Sequence, residues 1–110
     1  MIYDIVISDQ AEIDLRGIFE YIAFELQAPE NASGQLDRLE ACIMDLDYMP
    51  KRYRQYELEP WKSRELRIAP VDNYLVLYIP DDDTHVVTII RVMYGGRDVN
   101  TQLNRFTKTK

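Results

Sequence analysis

A chain of 110 residues with 46% hydrophobic composition can bury one core but not two, which predicts one domain over residues 1–110. Four glycines and five prolines exclude collagen-like and low-complexity character, one cysteine excludes an internal disulfide, and one histidine leaves no Cys/His metal constellation, so neither metal nor cofactor is expected. The net charge of −6 hides an asymmetry, with two basic against eleven acidic side chains in residues 1–50 and eleven basic against eight acidic in residues 51–110. An acidic first half either solvates helices or leaves the basic half to meet a polyanionic or acidic partner, and both readings stand at this point.

The opening "MIYDIVISDQAE" has no basic stretch followed by a long apolar one, and no apolar run approaches the ~20 residues of a membrane span. No membrane partner and a cytoplasmic location are therefore expected. Ile2 to Ile7 is short and rich in β-branched and aromatic residues, which predicts a strand. Ser8 and Asp9 are N-cap types, with Glu12 in the capping-box position after Asp9. Ala11, Leu15, Ile18, Phe19, Ile22 and Leu26 then recur at spacings of three and four and predict a helix to about Gln27. Pro29 suits the first turn of a second helix, whose buried face is Ala32, Leu36, Leu39, Ile43 and Leu46 and which stops near Met49–Pro50. Two helices so closely joined predict a helical hairpin.

"KRYRQYELEPWKSRE" mixes basic and aromatic residues without a period and reads as an ordered loop of about fifteen residues, a length often functional in a small domain. Within it Trp61 fits either a binding anchor or a lid on the core. "ELRIAP", "NYLVLYIP" and "HVVTIIRVMY" read as three strands joined by the turns "VDN" and "PDDDT". The order strand, helix, helix and three strands predicts an α+β fold, an antiparallel sheet of about four strands packed on one face by an α-helical hairpin. Cys42 beside the apolar face of the second helix reads as a small core residue, and Asp81–Asp82–Asp83 with His85 as a solvated hairpin tip.

The element order, "ELRIAPVDNYLVLYIPDDD" and above all "VTIIRVMYGGRD" resemble the RelE/ParE family, toxins of bacterial type II toxin-antitoxin modules, over nearly the whole chain. That resemblance implies a growth-inhibiting toxin that acts in bacterial stress response and is neutralised by a cognate antitoxin, whose disordered or helical arm folds on it. It implies one of two targets, DNA gyrase inhibited by contact or mRNA cleaved at the ribosome by a metal-independent endoribonuclease; a non-toxic antitoxin-binding homologue is a third possibility. Cleavage would use the RNA's own 2′-hydroxyl, a base, an acid and cations on the phosphorane. Lys51, Arg52, Arg54, Lys62, Arg64, Arg67, Arg91 and Arg97 are the candidates for gripping target or phosphate, and Arg67, Arg97 and Tyr94 the candidates for catalysis.

The endonuclease branch places an arginine after an aromatic residue in the middle strand, where this chain has Leu75. The gyrase-directed branch ends its last strand with an arginine, an aromatic or histidine, a glycine and a second arginine, which Arg91 and Arg97 match. The resemblance therefore leans towards a ParE-like inhibitor of gyrase. Strand period two puts Arg91 on the face opposite Ile90 and Val92, the sheet's open face, and Gly95–Gly96 is expected to turn the chain sharply and project Arg97 from the sheet's end.

Overall fold

The computed structural model describes residues 2–96 and 98–106, without the side chain of Phe106. The β-branched run forms strand β1 (Asp4–Ile7), and helix α1 (Asp9–Glu20) follows at once. Its N-cap is Ser8, whose Oγ accepts from the Ala11 N–H at 3.1 Å and donates to the Ile90 carbonyl at 3.0 Å. One orphan amide of the helix start is thus satisfied, and the helix is tied to a strand far along the chain. Asp9 and Glu12 sit in the first turn, where carboxylates meet the positive end of the helix dipole.

The first helix does not keep α-helical phase to Gln27. Tyr21–Glu25 forms a π-helical turn, closed by the Leu26 N–H on the Tyr21 carbonyl at 3.1 Å. The wider turn holds Ile22 and Ala23 in the interior but delivers Leu26, expected on the buried face, to the surface at 56% exposure. Gln27 then adopts a left-handed φ of 53°, and helix α2 (Pro29–Asp45) begins with its proline in the first turn. Ala32, Leu39, Ile43 and Leu46 are buried and Leu36 half-buried, as their spacing predicts.

Four further strands follow: β2 (Arg54–Gln55), β3 (Arg67–Val71), β4 (Tyr74–Asp81) and β5 (Val86–Tyr94), in the order β1-β5-β4-β3-β2. The α+β class holds, but the sheet has five strands and is mixed, because β1 runs parallel to β5 while the other pairs are antiparallel. A two-residue strand is too short to show a period, and the direction of β1 depends on a crossover that local pattern does not encode. Asp72, at a left-handed φ of 54°, and Asn73 make the tight turn between β3 and β4. At the other hairpin the Asp81 carboxylate accepts from the Asp83 and Thr84 amides.

Ala11, Leu15, Leu39, Ile43 and Leu46 of the hairpin pack on Ala69, Val76, Tyr78, Val87, Ile89 and Val92 of the sheet. The opposite face, expected open, carries a second core. Tyr56, Trp61 and Leu66 of the middle segment and Leu103 of a third helix, α3 (Val99–Phe106), cover Ile68, Leu77 and Met93 there. Trp61 is 2% exposed, and its Nε1 donates to Asn104 Oδ1 at 3.0 Å; the Tyr56 hydroxyl donates to Asn100 Oδ1 at 3.1 Å. The segment read as a loop is a covering layer, with Trp61 in its core.

The same segment is fixed at its start by Tyr78. This side chain is fully buried, its hydroxyl donates to the Pro50 carbonyl, and burial pushes its pKa well above the usual tyrosine range. Tyr78→Phe leaves that carbonyl without its donor, so it should lower unfolding free energy by about 1–3 kcal/mol in urea denaturation while the fold persists by circular dichroism.

Candidate functional site

A concavity of about 1210 Å³ lies between α1, the π-helical turn, the start of α2 and the ends of β4 and β5. Its floor is an ion pair. Arg91 donates to both Asp14 oxygens, from Nε at 2.6 Å and from Nη2 at 2.9 Å, and Asp14 Oδ2 also accepts from the Val92 amide at 3.0 Å. The two side chains are only 12% and 13% exposed. A charge so enclosed is held by its partner, since removing either one strands the other in a low dielectric.

Arg91 does not lie on an open sheet face. Register slips between Leu77 and Tyr78, which pair with Arg91 and Ile89, so Ile90 is an extra residue opposite the step. Ile90 therefore packs with the second core and Val92 with the first, although both were expected on one face. The bulge breaks the period of two and lets Arg91 reach α1. Asp14 was not singled out in the sequence, yet it sits between Ala11 and Ile18 on the apolar stripe of α1, at spacings of three and four. A carboxylate on a buried stripe and an arginine in a buried strand each call for an opposite charge.

One wall of the groove is polar. Asp72 accepts from Arg38 Nε at 2.7 Å and from Gln35 Nε2 at 3.1 Å, and Arg38, then Gln35, hold its carboxyl below the ordinary range. The other wall is apolar and solvent-facing, with Ile13, Tyr21 and Leu26 exposed by 62%, 54% and 56%. The Tyr74 and Tyr94 rings meet edge-on at 5.9 Å at the strand ends. No described glycine has a positive φ; Gly96 is needed for close approach instead, since a Cβ there would fall 2.4 Å from the Tyr94 ring. Arg97 lies outside the described residues.

The other basic candidates are dispersed, and most are held by protein groups. Arg52 closes the C-terminal end of α2, donating to the Tyr48 and Met49 carbonyls and the Asp45 carboxylate, and lies over the Tyr53 ring at 5.0 Å. Arg67 donates to the Lys51 carbonyl at 3.1 Å and the Tyr53 carbonyl at 2.6 Å, with its Nε buried and unpartnered among the described residues. Lys51 pairs with Asp82, which also accepts from the Tyr3 hydroxyl at 2.7 Å. Arg64 stacks on Trp61 at 5.1 Å. Arg54 and Lys62 face solvent. Among the named candidates that are described, only Arg91 and Tyr94 line the groove.

Burial raises the pKa of the half-buried Cys42 thiol, which fits a core role. Among the described residues no three His, Cys, Asp or Glu side chains cluster in a way that could hold a metal.

A family model described as "ParE toxin of type II toxin-antitoxin system, parDE" matches residues 5–99. The chain belongs to the ParE toxin family. Solved structures carry the same fold. The chromosomal ParDE toxin-antitoxin system of P. aeruginosa matches with a TM-score of 0.70 at 14% identity, over 84% of this chain and 96% of that one. A mutant E. coli toxin RelE in the free state matches at 0.64 and 15% identity, over 96% and 99%. The toxin-antitoxin complex RelBE2 of Mycobacterium tuberculosis matches at 0.61 and 22% identity, over 86% and 99%. No curated protein matches the sequence significantly. As a ParE-family chain the protein is the toxin type of a type II toxin-antitoxin system, and among its described residues no helix is long and apolar enough to cross a membrane.

Two outcomes test the site's physics. Asp14→Ala should cost about 3–5 kcal/mol of stability, and Asp14→Ala with Arg91→Met should cost less than the single change, because no charge is then left unpaired; urea titration of both variants decides. Asp72 and Asp82 are both depressed, Asp72 by Arg38 and Gln35 and Asp82 by Lys51 and Tyr3. Their stabilisation is therefore full above the unfolded aspartate value of about 3.9 and is lost as pH falls from there through the depressed folded values. The thermal midpoint should drop there, and Asp72→Asn should make the drop shallower.

Proposed function

We propose that this ParE-family toxin inhibits DNA gyrase in the cytoplasm by protein contact and is restrained by a cognate antitoxin. The commitment of Lys51, Arg52, Arg67 and Arg91 to protein groups carries the reading, although Arg54 and Lys62 face solvent. Phosphoryl-oxygen chemistry on RNA needs arginine or lysine side chains free to donate to the phosphorane. Here Arg52 and Arg67 donate to backbone carbonyls, Lys51 is paired with Asp82, and Arg91 with Asp14. Leu75, where the endonuclease branch has arginine, packs against the second core.

The groove offers what a protein partner needs: exposed apolar side chains beside fixed polar groups. Tyr74 and Tyr94 at its end suit contact with a protein surface. Antitoxin restraint is supported by the family and by the structural relatives described as toxin-antitoxin complexes.

Expression of the chain alone should arrest growth, with loss of gyrase supercoiling in extracts and with mRNA at ribosomes left whole. Cut mRNA with normal supercoiling would replace gyrase by the ribosome as the target, and normal growth would favour a non-toxic binding homologue. Tyr94→Ala, at an exposed position, should weaken supercoiling inhibition about tenfold without shifting the melting temperature.

A further inference from the structure

Two of the chain's four glycines lie inside helices, Gly17 in α1 and Gly34 in α2, and both line the groove. Glycine weakens a helix interior relative to alanine, because it gives up more backbone freedom on folding and brings no side chain to pack. Such a residue needs a reason, and for Gly34 the chain supplies one. A Cβ there would fall 3.3 Å from Arg38 Nη1 and press on the guanidinium that holds Asp72. For Gly17 the chain supplies none. Among the described residues, no atom beyond its chain neighbours and its own helix backbone lies within 4 Å of where a Cβ would stand, and its φ is not left-handed. Alanine would fit the free protein at this exposed position.

Gly17 falls midway between Ile13 and Tyr21, four residues from each, so the three share one stripe of α1. Its bare backbone is a notch between two exposed apolar side chains, at the wall of the groove. A notch of this kind lets a neighbouring element come closer than a side chain would allow.

The element that fits is a helix. The groove runs along α1, its charged pairs Arg91–Asp14 and Arg38–Asp72 are closed on themselves, and the Val92 amide on the edge of β5 is taken by Asp14. An extended segment would find that strand edge interrupted, whereas a helix satisfies its own backbone and needs only an apolar stripe. A ridge of side chains four apart on such a helix would enter between Ile13 and Tyr21. A second copy of this chain meeting at Gly17 would set wall against wall and leave the floor of the groove bare.

We infer that a helix of gyrase crosses α1 at Gly17, its apolar stripe against Ile13, Tyr21 and Tyr94. This rests on the gyrase reading above and goes beyond it, by fixing the kind of element that the target presents and the position where it comes closest.

The test compares the full parent chain with Gly17→Ala and Gly17→Leu. Gly17→Ala should raise the melting temperature, since alanine is the better helix former, yet weaken inhibition of gyrase supercoiling about tenfold, and Gly17→Leu should weaken it further. A benzophenone side chain placed at position 21 should cross-link to gyrase residues three or four apart in sequence. Greater stability with less inhibition is a combination that a glycine needed only for folding does not produce. Equal inhibition by the parent and both variants, a lowered melting temperature in Gly17→Ala, or cross-links with no helical spacing overturns this inference and leaves the gyrase reading standing. A parent chain that does not inhibit gyrase overturns both. Variants that lose affinity for the antitoxin, or lose self-association, while inhibiting gyrase as the parent does would give the notch to the antitoxin or to a second copy, and either overturns the inference.

Discussion

The carboxylate of Asp14 is the point on which the two layers of the protein are registered. A β-bulge at Ile90 removes backbone groups of β5 from regular pairing, and such groups need partners if they are enclosed. Two side chains of the α1 region supply them: Ser8 Oγ donates to the Ile90 carbonyl, and Asp14 accepts from the Val92 amide. Asp14 then binds Arg91 between those positions. The helix is therefore held to the bulge by directional bonds as well as by apolar packing, which alone would tolerate sliding. Because β5 pairs with both β1 and β4, this attachment fixes how the hairpin sits over most of the sheet.

The same economy governs the remaining charge. Arg52 and Arg67 would read from sequence as members of a basic patch, but their geometry is that of staples. One closes the last turn of α2, where the carbonyls lack helical partners, and the other gathers the carbonyls of the segment that follows. Guanidinium suits this work because its planar fork donates in several directions at once without losing its charge. Of the cations in this segment, Lys51, Arg52 and Arg67 are engaged by protein groups, while Arg54 and Lys62 face solvent.

What the sequence made legible follows from the range of each signal. The helical stripe of α2, the strands β3 to β5 and the Asp72–Asn73 turn are local patterns, and they form where those patterns place them. The π-helical turn and the bulge each alter a period by a single step, so reading through them misplaced Leu26 and Arg91. α3 went unread although Asp98 caps it through Thr101 and Val99 and Leu103 are four apart, because eight residues carry too few turns for a visible stripe. The groove was the least legible part. Asp14, Gln35, Arg38 and Tyr74 come together only through the tertiary fold, and of these Asp14 alone left a trace, as a carboxylate on an apolar stripe.

The π-helical turn at Tyr21–Glu25 means that the character of the groove's apolar wall is controlled by chain length as much as by residue identity. An α-helix rotates about 100° per residue. Removal of one residue from the turn would restore the ordinary phase and swing everything beyond it by that angle, carrying Leu26 out of the wall and the Gln27 bend with it. Relatives that differ by a single insertion or deletion here would present different recognition surfaces at the tip of the hairpin, at the cost of repacking only the small cluster of Ile22, Ala23 and Ala32 and not the core between hairpin and sheet.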